Sequence, residues 1–236
     1  MATLKTNLIE PSTGTTLTVG ESGGDLVIGA DSINNNVLKD AGGNAIWTSN
    51  GSGVLSGVNS AFGSAQVLIQ TQVASSSATI SFTSGIDSTY KEYVFEIINI
   101  HPATNGVDFT FQAGSSYDET ITSSSFLAWT GESSGGALGY LAGGDQAQGT
   151  AFQHLMQDVG NGADESGCGE LHLFNPASTT YVKNFYGIGH CYEKDNQSFS
   201  TPTAGYFNTT SAITQVQFKM SSGNIDVGTI KMYGIK

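Results

Sequence analysis

Apolar positions are sparse up to about residue 64 and dense after it. In the first stretch they come as isolated pairs. Leu17/Val19 stand ahead of Gly20 and Leu26/Ile28 ahead of Gly29, a short repeat of Leu-Thr-Val-Gly and Leu-Val-Ile-Gly. Val37-Leu38, Ile46-Trp47 and Val54-Leu55 follow, divided by separators such as Ser22-Gly23-Gly24-Asp25 and Asn50-Gly51-Ser52-Gly53. Each run predicts a short strand and each separator a turn. So few bulky side chains cannot offset a backbone ordering cost of roughly 1–2 kcal/mol per residue within one copy. Disordered segments are usually highly charged and poor in β-branched residues, and this one is neither. Residues 1–64 are therefore expected to form a β-rich attachment and oligomerisation stem. Leu17, Val19, Leu26, Ile28, Ile46 and Trp47 would be buried against other copies or a docking partner.

Residues 65–236 read as one larger domain. Gln66–Val73 and Ala78–Thr83 are β-rich runs, and Tyr90–Ile100 sets Tyr93, Phe95 and Ile97 on one face. Val107, Phe109 and Phe111 alternate with Asp108, Thr110 and Gln112, and Val216, Phe218 and Met220 alternate with polar neighbours. That period of two marks half-buried strands. Between Tyr90–Ile100 and the run that begins at Val107, Pro102 and Asn105-Gly106 predict a hairpin. Phe126–Thr130, Glu170–Asn175, Val182–Tyr192, Ala212–Met220 and Val227–Ile235 supply further strands. Residues 150–159 fit either a strand or a helix, since Phe152, Leu155, Met156 and Val159 satisfy both spacings; the neighbours favour a strand. The expected fold is all-β, a C-terminal β-sandwich of jelly-roll type preceded by the stem.

Composition narrows the function. The chain has 8 cationic side chains, all Lys, against 20 acidic ones, a net charge of −12. A nucleic-acid binder needs a basic surface, so that partner class is excluded. No run of 18 apolar residues offers a membrane-spanning helix. The opening Met1-Ala2-Thr3-Leu4-Lys5 lacks the apolar stretch of a secretory signal, which predicts synthesis in a reducing cytoplasm. Cys168 and Cys191 are too few for a disulfide framework; free thiols are the default and a single late bridge the alternative.

Several groupings invite chemistry. Gly131-Glu132-Ser133-Ser134-Gly135 matches the nucleophile-elbow spacing, but that device requires a helix next, and Gly136-Ala137-Leu138-Gly139 is poor helix material. A loop is expected. Cys168, His172, His190 and Cys191 suggest a metal, with the two imidazoles on neighbouring strands and able to meet. Adjacent residues on a strand face opposite ways, however, so His190 and Cys191 cannot readily share one ion. Residues 65–170 hold 12 Asp/Glu against one Lys. The acidic loop 161–167 lacks the ligand spacing of a calcium loop, and no carboxylate pair for glycoside cleavage is evident. No catalytic residue, metal or cofactor is expected. Tyr117, Trp129, Tyr140, Tyr206 and Phe207 read as lying in or near loops. Of these, Tyr117, Trp129, Tyr140 and Tyr206 are the candidate ligand-stacking residues.

Six stretches, three in the N-terminal part and three in the larger domain, carry a family likeness. The opening Ala2–Ile9, with Val37–Asn44 and Asn50–Leu55, resembles the N-terminal part of fibre-like virion proteins of marine tailed phages, cyanophages in particular. Tyr93–Phe109 (YVFEIINIHPATNGVDF), Leu171–Pro176 (LHLFNP) and the ending Ser221–Ile235 are similar to a recurring β-module of those proteins. The resemblance implies a sheet-rich, non-enzymatic virion part, commonly a homotrimer, made in the host cytoplasm and contacting other virion proteins. Its implied role is a tail fibre or tail-associated appendage meeting host-surface glycans. A capsid decoration protein clamped to capsomers by residues 1–64 is the alternative, and a polysaccharide-degrading enzyme is a third class.

Overall fold

A computed structural model describes residues 37–39, 44–49, 52, 55–58 and 65–236. Leu17, Val19, Leu26 and Ile28 lie outside the described residues. The chain divides into two units, Met1–Gly63 and Ser64–Lys236. In the first, β1 (Val37–Lys39), β2 (Ala45–Ser49) and β3 (Leu55–Val58) form an antiparallel meander with β2 in the middle. Ile46 and Trp47 sit side by side on β2, each half-buried. Being neighbours on a strand, they serve opposite faces of the meander rather than acting as one apolar pair.

The second unit is built from β4 (Gln66–Ser77), β5 (Ile80–Phe82), β6 (Glu92–Pro102), β7 (Val107–Ala113), β8 (Ile121–Gly131), β9 (Gly136–Tyr140), β10 (Ala147–Gly149), β11 (Gln153–Val159), β12 (Gly167–Phe174), β13 (Lys183–Glu193), β14 (Gln197–Phe207), β15 (Val216–Met220) and β16 (Ile225–Ile235). All pairings are antiparallel. One wall runs β4-β16-β6-β12-β13-β14-β8-β9, with β10 also on β8; the other runs β5-β15-β7-β11. The walls meet where Val159 of β11 pairs with Glu193 of β13, which nearly closes the sandwich. The fold is all-β, as the alternating pattern demands.

Phe218 of β15 sits at the centre of the core. Its ring lies 5.4 Å from Phe95 on the opposite wall, 5.8 Å from Phe109 and 6.2 Å from Phe82. Strand β13 shows the two-residue period most plainly: Phe185, Gly187, Gly189 and Cys191 are buried, and Asn184, Tyr186, Ile188 and His190 are exposed. Its glycines have a packing reason. A Cβ on Gly189 would fall 2.0 Å from the Leu155 carbonyl oxygen, so only glycine lets β11 close over β13.

One ambiguity is settled as the neighbouring strands favoured, and two expectations change. Residues 153–159 are a strand, which resolves the helix-or-strand ambiguity. The turn at 103–106 is not a hairpin: β6 pairs with β12 and β16, whereas β7 pairs with β11 and β15, so the chain crosses from one wall to the other. Turn chemistry sets only the local reversal, and long-range pairing decides which sheet receives the next strand. Finally, residues 197–207 form a full central strand. Tyr206 and Phe207 belong to it, Trp129 to β8 and Tyr140 to β9, all within two residues of a strand end and so near loops as expected, and Tyr117 lies in a turn.

Candidate functional site

Two hairpin loops meet at one end of the sandwich. The run Gly131–Gly135 closes the β8–β9 hairpin, with the Gly131 N–H donated to the Gly135 carbonyl at 3.3 Å. A strand follows it, so Ser133 occupies a solvent-exposed hairpin loop and not an elbow. Beside it, Lys194-Asp195-Asn196 joins β13 to β14. Asn196 takes a left-handed conformation at φ 62°, which Asn tolerates better than most residues. The Glu132 N–H donates to the Asn196 carbonyl at 3.2 Å and fastens one loop to the other.

Between the loops lies an open cleft of about 410 Å³, lined by Trp129 together with Glu132, Ser133, Asp195, Asn196 and Gln197. Trp129 is cross-strand neighbour to buried Phe199 and packs on the core while remaining partly exposed. Its ring edge faces Gly135, where an added Cβ would stand 3.7 Å away. The Tyr192 hydroxyl lies 3.0 Å from both Glu132 Oε1 and Asn196 Oδ1, bracing two of the polar groups. The hydrogen bond to Glu132 raises the Tyr192 pKa, with burial adding to it. The nearest cation is already engaged. Lys194 donates to Asp195 Oδ2 at 2.6 Å and to Glu193 Oε1 at 3.0 Å, and these bonds raise its pKa. The cleft therefore offers an aromatic surface, carboxylates and amides, and no free positive charge among its lining residues.

The four aromatic candidates do not converge. Tyr117 lies in the connection leading into the start of β8, with its hydroxyl donated to Gln215 Oε1 at 3.1 Å. The cleft is at the other end of that strand. Tyr140 is exposed on β9, edge-on to Phe126 with ring centroids 5.5 Å apart, and hydrogen-bonds Asp145. Tyr206 stands on β14 opposite Asn184 and Thr122. Trp129 alone belongs to the cleft.

A second feature escaped the sequence reading. On the outer side of the larger wall, Phe126, Tyr186 and Ile188 are exposed around Pro202 and line a shallow apolar groove. His172 stacks on Tyr186 with centroids 4.4 Å apart and planes 13° apart. Its Nδ1 lies 2.6 Å from Glu92 Oε1, while Nε2 is 3.4 Å from Glu170 Oε1 without hydrogen-bond geometry. The signal was present in the sequence: Tyr186 and Ile188 are bulky at positions where alternation calls for polar residues.

The cysteine and histidine grouping comes apart. Cys168 pairs across the ladder with His190 on the exposed face, and His172 pairs with Tyr186, so the two imidazoles do not meet. Cys191 is buried on the other face; both thiols are free. Among the described residues, no group of three or more His, Cys, Asp or Glu is arranged to hold a metal ion. In the acidic loop, the Glu165 carboxylate accepts the Gly162 N–H and is used by the loop itself. Among the described residues, no helix is long and apolar enough to cross a membrane.

Comparison of the chain with protein-family models, curated proteins and solved structures finds no match.

Proposed function

We propose that this chain is a structural protein of a phage particle, a tail fibre or tail-associated appendage whose C-terminal sandwich contacts the host surface. On this reading it acts by assembly and binding, with copies of itself, arranged as a homotrimer, and other virion proteins as partners. The family likeness supports it, and so does the position of the likeness. Tyr93–Phe109 spans the wall-to-wall crossing from β6 to β7, and Ser221–Ile235 contains β16, so the similar stretches are framework segments.

The observation that carries the contact role is the Trp129 cleft. Binding groups on a rigid β scaffold usually sit on the loops at its ends, where they can vary without disturbing the core. An aromatic side chain lining a cleft among convergent polar groups is equipment for holding a ligand.

Antibodies against residues 65–236 test the role. Bound to intact particles, they should slow adsorption to host cells in proportion to occupancy. Unchanged adsorption on fully decorated particles would refute host contact and leave the capsid-decoration role.

A further inference from the structure

We infer that the cleft between the β8–β9 and β13–β14 loops is a binding site for an uncharged pyranose ring, stacked on Trp129 and hydrogen-bonded by Glu132, Asp195 and Asn196. The inference rests on the surface-contact reading above and specifies its ligand. Its first support is shape and surface. A volume of about 410 Å³ accommodates one or two sugar rings, and the partly exposed Trp129 indole puts apolar aromatic surface into the lining, the kind on which the C–H face of a pyranose stacks.

The second support is the polar complement. Hydroxyl groups taken from water must find partners, or the desolvation cost cancels the gain from stacking. Glu132 and Asp195 carboxylates accept from hydroxyls, and bonds to an ionised acceptor are the stronger kind. The side-chain amides of Asn196 and Gln197 add donors. The outer-wall groove around Pro202 lacks this complement, because its lining is mainly apolar, and is the poorer candidate.

The third support is charge, and it decides the class of sugar. Two carboxylates border the cleft, and the Lys194 ammonium is held by Glu193 and Asp195. There is no arginine anywhere in the chain to clamp an acidic sugar. An anionic ligand would meet the Glu132 carboxylate and a Glu193–Lys194–Asp195 group that is still net negative, with Lys194 already paired, so uronic and sialic acids are disfavoured relative to neutral hexoses.

The chain itself supplies the reporter. Its two tryptophans are Trp47 and Trp129, so Trp47→Phe leaves Trp129 as the sole indole. That variant should be titrated with methyl α-glucoside, methyl α-mannoside, methyl β-galactoside, N-acetylglucosamine and glucuronic acid. At least one uncharged sugar should change the Trp129 emission saturably, with glucuronic acid weaker by about ten-fold or more. In the otherwise native chain, calorimetry of the responding sugar should show about ten-fold weaker binding after Trp129→Ala. Glu132→Gln with Asp195→Asn should narrow the gap between neutral and acidic sugars, and Trp129→Phe, which keeps a ring against Phe199, guards against a loss caused by misfolding. Absence of a saturable response to every uncharged sugar would overturn the inference, as would equal binding of glucuronic acid or calorimetric binding indifferent to Trp129→Ala. Such a failure is distinct from failure of the host-contact reading, since antibody block of adsorption does not depend on the ligand being a neutral sugar.

Discussion

Cys191 sits in the core with its S–H donated to the Gln157 carbonyl at 3.2 Å. Burial pushes its thiol up to about 12, and the Glu193, Asp158 and Asp108 carboxylates push the same way. Cys168, on the exposed face opposite His190, has no such shield. Thiolate, not thiol, is the reacting species. An aromatic disulfide reagent at pH 8 should therefore modify one thiol per native chain, and two in denaturant. Two rapid equivalents from the native protein would contradict the buried placement of Cys191, and none would contradict the exposed placement of Cys168. The opposite facing of His190 and Cys191 was readable from strand alternation alone. The pairing of His172 with Tyr186 was not, because register depends on the whole β12–β13 ladder. Trp129 was legible as a candidate aromatic. Its polar partners Glu132, Asp195 and Asn196 were not, since the β8–β14 pairing that joins their loops spans more than sixty residues of sequence.

Among the elements, the ones read most easily are those whose buried positions are filled by large apolar side chains. Strand β15 alternates Val216, Phe218 and Met220 inward, and β6 and β7 carry Tyr93, Phe95, Phe109 and Phe111. Strand β14 hid for the opposite reason. Two of its buried positions are Thr201 and Thr203, and Pro202 interrupts the run. Between Ser200↔Ala128 and Thr203↔Ser125 the ladder to β8 lacks two pairs, in keeping with a residue that has no N–H to give. The pattern of the core makes a quantitative prediction. Phe218→Ala removes a ring that touches both walls, and urea unfolding should show a loss of about 3–5 kcal/mol. Ile188→Ser on the exposed face of β13 should stay within about 0.5 kcal/mol of the parent. Equal losses from the two would mean that the outer face is covered in the folded protein.

For the whole molecule, sequence patterning led to an all-β chain, and the two facing walls of the second unit follow from it. What patterning could not supply was the order of strands within each wall. In the first unit, Ile46 and Trp47 face opposite sides of a three-stranded meander, so burying both requires partners on two sides. Such an arrangement suits a segment that completes its core in an assembly, where each copy adds its own contacts. A chain of net charge −12 with no arginine is also poorly suited to polyanions. These properties belong together if the protein is a surface part of a virus particle. The most direct measurement is electron microscopy of purified intact particles with gold-labelled antibody to residues 65–236. Label is expected at fixed positions on the tail or its appendages. Particles that carry no label, with the protein recovered only free in the lysate, would contradict that placement.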